Sequence, residues 1–361
     1  MKKDHAILNN RDYWFDNAKA YLIVTVFIGH ICETLIRLKP FAGGTPLWLD
    51  VLMKFIYVFH MPVFMLISGR FSKNRIDQND WVSVINKLVI PYIVVHTVLS
   101  LFYATVGFSK VTDLSYFRPA YGLWYLITLA AFQLITPHLL KAFRRKWLLF
   151  PISLLIAFLS TFQEQVFFGG FQRVFTFFPF FIFGYLSAKC EFKFCKKTIF
   201  RIISIAAFIG LILLIIQYND IIKVALLSNK RVYSEYHALL GVDQLELLIQ
   251  LIFRYAFGFL FFFFIMGISP VKKMFFSKLG THSTYVYILH LFIIVALAAL
   301  GKRYGLLDFC KNEIYAVLLC VSAIPLSFLL VSPFIEKITK WLVMPSFDLK
   351  KLVQTILKEK E

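Results

Sequence analysis

The sequence predicts an all-α polytopic membrane protein with about ten transmembrane helices and both termini in the cytoplasm. Composition, the lengths of the apolar runs and the placement of basic residues predict it. Of 361 residues, 59 % are hydrophobic and 42 are Phe, and the mean hydropathy is +0.73. A water-soluble chain of this size needs polar groups over its exterior. Lipid instead solvates apolar side chains, provided that helices satisfy the backbone. The net charge of +19 would point to nucleic acid on a soluble protein. Here the basic residues fall between apolar runs, and no basic stripe interleaved with stacking aromatics is present, so nucleic acid is not expected as a partner. The first nineteen residues are polar and lack a small-residue cleavage site, so the first run is expected to be an uncleaved anchor.

A spanning helix needs about 20 mostly apolar residues. Runs of this kind lie near 20–38, 48–68, 87–107, 121–140, 147–163, 174–188, 199–217, 244–268, 283–300 and 314–334. The sixth is short and the eighth long. The N-terminus carries Lys2, Lys3 and Arg11. The second connection carries Arg70, Lys73 and Arg75, the fourth Lys141, Arg144, Arg145 and Lys146, and the sixth Lys189, Lys193, Lys196, Lys197 and Arg201. Lys272, Lys273 and Lys278 follow in the eighth. The odd connections are less basic, although the ninth holds Lys302, Arg303 and Lys311 against Asp308 and Glu313. This alternation sets ten crossings with both ends inside. Residues 1–340 then form one transmembrane domain. The basic cytoplasmic tail 341–361, which mixes Leu, Val and Ile with Lys, is expected to lie as an amphipathic helix on the inner leaflet. No inverted repeat is visible. The five cysteines show neither CxxC nor Cys/His ligand spacing, so no metal site is expected.

The first run also carries polar residues. Lys19 and His30 are eleven apart and therefore share a helix face, with Asp16 and Glu33 close to it. Lys19 lies about 16 Å below His30 along the axis. Glu33 is placed either to orient the imidazole or to pair with Arg37, and both options stay open at this point. His60 falls in "FHMPVFMLISGRF" (59–71), where Pro62 frees a carbonyl near Val58 and Gly69 is expected to cap the helix. His290 ends "YVYILH" (285–290) in the ninth run. Three histidines from three runs thus come to one depth, and ionisable groups inside a span usually face a cavity or a partner. Arg254 interrupts the eighth run near mid-depth and needs a carboxylate, a carbonyl or a bound anion. Arg173 is expected to snorkel to the outer face. Buried His, Glu and Arg suit an acyl-transfer enzyme. They also suit a proton-coupled transporter of a polysaccharide precursor, against which the missing repeat counts.

The pattern Asp16-x-x-Lys19-x10-His30 resembles the basic-x10-His signature of the acyltransferase-3 family of membrane acyltransferases. "FHMPVFMLISGRF", "KLVIPY" (87–92), "GLWYLITL" (122–129), "FFPFFIFGYL" (177–186) and "YVYILH" follow in that family's order. The fucose 4-O-acetylase-like branch is the most similar in flavour. The resemblance covers roughly residues 10–335 and departs from many members in having Lys19 for Arg, which keeps the charge and loses the planar fork. It implies transfer of an acyl group, commonly acetyl, to a glycan hydroxyl outside a bacterial plasma membrane. The donor would be cytoplasmic acetyl-CoA or another acyl-CoA, a co-substrate rather than a bound cofactor. His30 would be the catalytic residue, as base or as acyl carrier, with Glu33 beside it. Lys19, Arg70 and Lys87, with Lys73 and Arg75 in support, would face the donor phosphates, although ordinary inside bias accounts for Arg75 alone. His60, Trp124, Arg254 and His290 would contact the acceptor.

Overall fold

A computed structural model describes residues 12–107, 115–162, 172–228 and 231–345. Every element among these is helical. The main helices are α1 (Tyr13–Leu38), α2 (Leu47–Asp77), α3 (Trp81–Thr105), α4 (Trp124–Ala142), α5 (Leu149–Thr161), α6 (Gln172–Leu186), α7 (Thr198–Gln217), α8 (Gln244–Ile268), α9 (Ser283–Tyr304), α10 (Glu313–Leu330) and α11 (Pro333–Val343). Each of the ten apolar runs falls on a helix. Seven, namely α1, α2, α3, α7, α8, α9 and α10, are long and apolar enough to cross a membrane. α5 and α6 are only 13 and 15 residues long. The apolar character of α4 is diluted by Gln133, His138 and Lys141. The chain is therefore a multi-pass membrane protein.

α2 runs past the expected stop at Gly69 to Asp77. Gly69 is a crossing point instead of a cap. A Cβ built on it would lie 2.0 Å from the Phe181 carbonyl oxygen, and one on Gly184 would lie 1.9 Å from that of Leu66. Two glycines thus let the backbones of α2 and α6 touch, the close approach that small residues permit between membrane helices. A third glycine, Gly280 in the short helix Ser277–Thr281, meets α1 in the same way at the Asp16 carbonyl, 1.7 Å from its would-be Cβ.

α1 is fixed at its N-terminal end by polar bonds. Trp14 Nε1 donates to Met266 O at 2.8 Å. Asn17 Nδ2 donates to the carbonyls of Pro270 (2.8 Å) and Lys272 (2.9 Å), while the Ser277 hydroxyl donates to Asn17 Oδ1 at 2.6 Å. These bonds hold α1 against the loop between α8 and α9 and so set the height of His30. The phenylalanines fill the centre. Where α2, α7 and α8 meet, Phe59 stacks on Phe261 and Phe208 packs edge-on against both, at 5.1 Å from Phe261. Phe180 and Phe259 pack at 4.6 Å between α6 and α8.

A π-turn at Ile85–Val89 interrupts α3 just before Pro91, which has no N–H to continue the ladder. It places Lys87 at the end of the bundle where Lys19 also lies. α10 is followed by the short helix α11. This helix exposes Phe334 and Trp341 and buries Leu342 and Val343. The rest of the tail, from residue 346, lies outside the described residues.

Candidate active site

His30 is the centre of an aromatic and polar cluster. Its Nδ1 lies 3.1 Å from Glu33 Oε2, and Tyr57 donates its hydroxyl to the same oxygen at 3.2 Å. Of the two options open for Glu33, this geometry realises the contact with the imidazole. A carboxylate accepts, so Nδ1 carries the proton and Nε2 presents a lone pair. His290 stacks on the His30 ring at 5.3 Å and 25°. His290 Nδ1 donates to Val286 O at 2.8 Å, and His60 Nδ1 to Ile56 O at 2.6 Å, so all three imidazoles take the same tautomer. His60 stands across the Tyr57 ring, 5.0 Å from it. The three histidines thus gather as the sequence implied, but they are unlike in access. The side chain of His30 is 18 % exposed and that of Glu33 is 38 % exposed, whereas His60 and His290 are buried.

Gly122, at the start of α4, faces His30 Nε2: a Cβ there would sit 3.6 Å from that nitrogen and 3.1 Å from Leu291 Cδ2. The missing side chain keeps space beside the lone pair. The Gly122 carbonyl accepts from Tyr287 at 2.5 Å, which fixes this turn to α9.

Toward the N-terminal end of α1 from the cluster lies a cavity of about 710 Å³. Lys19, Arg75 and Lys87 stand among its lining residues, together with Tyr125 and Tyr287, and Val343, Met344 and Pro345 also border it. Its volume is that of a small-molecule site. Lys19 Nζ is 2.8 Å from Asp16 Oδ1 and 5.2 Å above the Phe71 ring. Tyr125 and Ser68 share a 2.5 Å hydrogen bond on the wall. The lining also includes two polar side chains that sequence reasoning missed. Neither amide atom of Gln133 nor Asn86 Oδ1 has a partner among the described residues. Gln133 lies inside the fourth apolar run and Asn86 just before the third, and only packing shows that each borders the cavity.

Arg70 departs from its expected role. It does not line the cavity. Its Nη1 donates to Ser187 O (2.9 Å) and Cys190 O (3.0 Å), and its guanidinium packs 4.6 Å above Phe15. It closes the C-terminal end of α6, where carbonyls lack helical donors. Arg75, assigned to ordinary inside bias from sequence, takes the place beside the cavity. Lys73 pairs with Asp77 at 2.8 Å. Arg70→Ala is therefore expected to lower thermal stability, since it removes the side chain that caps these carbonyls; thermal unfolding of the variant checks it.

Arg173 does not snorkel. Its guanidinium lies 4.3 Å over the Trp124 ring, its Nε donates to Ser228 O at 3.3 Å, and it stands within electrostatic reach of Tyr57, Tyr236, Glu33 and Tyr287. Trp124 is thereby the floor under a cation next to the His30 cluster. Arg254 lies apart from the histidines, buried at 2 % exposure and 4.6 Å above the Tyr255 ring. Tyr255 in turn donates its hydroxyl to Thr176 O at 2.9 Å, three residues along α6 from Arg173, and both guanidiniums lie within electrostatic reach of Tyr236 in the short helix Tyr233–Leu240. Burial pushes that phenol up, and the positive field of Arg254, with those of Arg173 and Arg231, pulls it back.

The acyltransferase-3 family model, an acyltransferase domain, matches residues 12–332. The chain is similar to the nodulation protein NolL of Mesorhizobium japonicum, 32 % identical over 160 residues that make up 42 % of either chain. It is also similar to the nodulation protein NolL of Sinorhizobium fredii, 31 % identical over 195 residues, 50 % of either chain. The matched segments thus span half or less of these curated relatives. No solved structure matches the chain. The family match encloses α1 to α10 and every residue of the His30 cluster, so the chain belongs to the acyltransferase-3 family of integral-membrane acyltransferases.

Proposed function

We propose that the protein is a membrane O-acyltransferase that moves an acyl group, acetyl in the first instance, from cytoplasmic acyl-CoA to a hydroxyl of a cell-surface or lipid-linked glycan. In this reading the ten helices cross a bacterial plasma membrane with both termini inside, and residues 1–340 act as one unit. One observation carries it. The cavity bordered by Lys19, Arg75 and Lys87 is also bordered by Tyr287, whose ring lies 6.4 Å from His290, the imidazole stacked on His30. Cations at one end hold phosphates, and a lone pair with a fixed tautomer stands past the other.

The residues then divide the reaction as follows. The donor phosphates lie against Lys19, Arg75 and Lys87, and the amides of its pantetheine arm pair with Gln133 and Asn86. An extended arm of that kind spans the helix length from Lys19 to His30. The acceptor hydroxyl approaches His30 Nε2 beside Gly122. Nε2 takes the hydroxyl proton as the oxygen attacks the thioester carbonyl, the carbon–sulfur bond breaks, and the thiolate leaves toward the cavity to take up that proton. Glu33, held by Tyr57, stabilises the imidazolium that forms and keeps its orientation.

The test uses the full chain in detergent with labelled acetyl-CoA and a glycan acceptor. Transfer that depends on His30 supports the reading, and neither binding nor hydrolysis of acetyl-CoA would refute it. Lys19→Gln and Lys87→Gln are each expected to raise KM for the donor about tenfold with little change in kcat, because phosphate contacts act equally on ground and transition states. The increase should shrink at high salt. Gln133→Leu is expected to raise the same KM and to leave the salt dependence unchanged, since an amide pairs with no phosphate.

A further inference from the structure

The cationic groups at the outer side of the His30 cluster have no role in donor binding. Arg254 lies ten residues into α8 and is 2 % exposed. Its Nε and Nη2 donate to no acceptor among the described residues. A guanidinium enclosed without a counter-charge is expensive, and Arg inside a membrane protein usually marks a partner or a ligand. Neighbouring charge does not relieve it. Arg173 and Arg231 act with Arg254 on the same Tyr236 phenol, and among the described residues none of the three arginines forms an ion pair. Glu33 is within electrostatic reach of Arg173, but its Oε2 already serves His30 and Tyr57.

We infer that Arg173 and Arg254 build an oxyanion site on the outer side of His30, so that the acceptor is an anionic glycan bearing a carboxylate or a phosphate. The word acceptor rests on the acyl-transfer reading above. The planar fork of arginine matches either oxyanion with two parallel N–H bonds. The Trp124 ring holds the Arg173 guanidinium at 4.3 Å, and Arg254 offers its unpaired Nε and Nη2. The Tyr236 helix packs on the bundle through a small apolar cluster of Leu226, Tyr236, Val242, Leu247 and Leu251, the last two of which lie on α8 in the two turns before Arg254. The donor cations Lys19, Arg75 and Lys87 are at the opposite end, and the two charge sets do not compete for one ligand.

The test titrates the full chain in detergent, at constant ionic strength, with inorganic phosphate, methyl glucuronide and neutral methyl glucoside. Tryptophan fluorescence and thermal unfolding report binding. Saturable binding of phosphate or glucuronide but not glucoside is expected, and the tighter of the two identifies the source of the oxyanion. Arg254→Gln and Arg173→Gln should each weaken it about tenfold or more, Arg254→Lys less, with coenzyme A binding unchanged in all. No saturable anion binding by the unsubstituted chain, or equal binding in the variants, overturns the inference. Should Arg254→Gln fail to fold, Arg173→Gln and the unsubstituted chain decide it. His30→Ala separates the two readings: it should keep anion binding while losing transfer. Transfer retained in His30→Ala refutes the role of His30 alone, whereas anion binding retained in Arg173→Gln and Arg254→Gln refutes this inference alone.

Discussion

His30→Ala lowers acyl transfer by about 10²–10⁴-fold, the contribution of a positioned general base, with donor affinity nearly unchanged, because the imidazole lies beyond the cavity that holds the donor. Glu33→Gln gives a smaller loss. The amide can still accept from His30 Nδ1 but stabilises the imidazolium less, and its own N–H groups allow the wrong tautomer. Tyr57→Phe, which removes the second hydrogen bond to Glu33, should lose less again. The ordering His30 > Glu33 > Tyr57 in kcat, measured with saturating donor, is what a base with a positioning carboxylate requires. Equal losses for all three would mark the cluster as a structural unit.

The second large effect is structural. Gly184→Val and Gly280→Val should each prevent recovery of monodisperse protein. At both positions even the first added carbon meets a backbone carbonyl closer than 2 Å. Backbone cannot rotate aside as a side chain can, so whole helices must separate. The penalty stands at the upper end of overpacking, about 3 kcal/mol or more. Gly210→Val on α7 is the control: nothing lies within 4 Å of its would-be Cβ, and the yield should hold. Size-exclusion profiles from equal amounts of membrane check all three.

Much of this molecule is legible in its sequence because a bilayer imposes strong rules. Apolar run lengths gave a helix at each of the ten places, since unsatisfied backbone is not tolerated in lipid. The His30–Glu33 contact was one of two options open from helical periodicity, because residues three apart share a face. Arg70, Arg75 and Gly69 were not legible in the same way. Which of two basic residues on adjacent turns meets the cavity depends on the rotation of α2, and that is set by the crossing of Gly69 with Gly184 some 115 residues away in sequence. Arg173 was misread for a related reason. A cation at a helix end snorkels unless an aromatic face captures it, and only tertiary packing brings Trp124 under it. Gln133 lies inside the 121–140 run, and only packing shows the cavity beside it.

The central claim is that a donor lying in the inner cavity delivers its acyl carbon to His30. An experimental structure of the full chain with a non-hydrolysable acetyl-CoA analogue tests it most directly. The account predicts phosphate density against Lys19, Arg75 and Lys87, with the acyl carbonyl within about 4 Å of His30 Nε2, the reach of a reacting geometry. Analogue bound elsewhere, or bound in the cavity with its acyl group pointing away from His30, would contradict it.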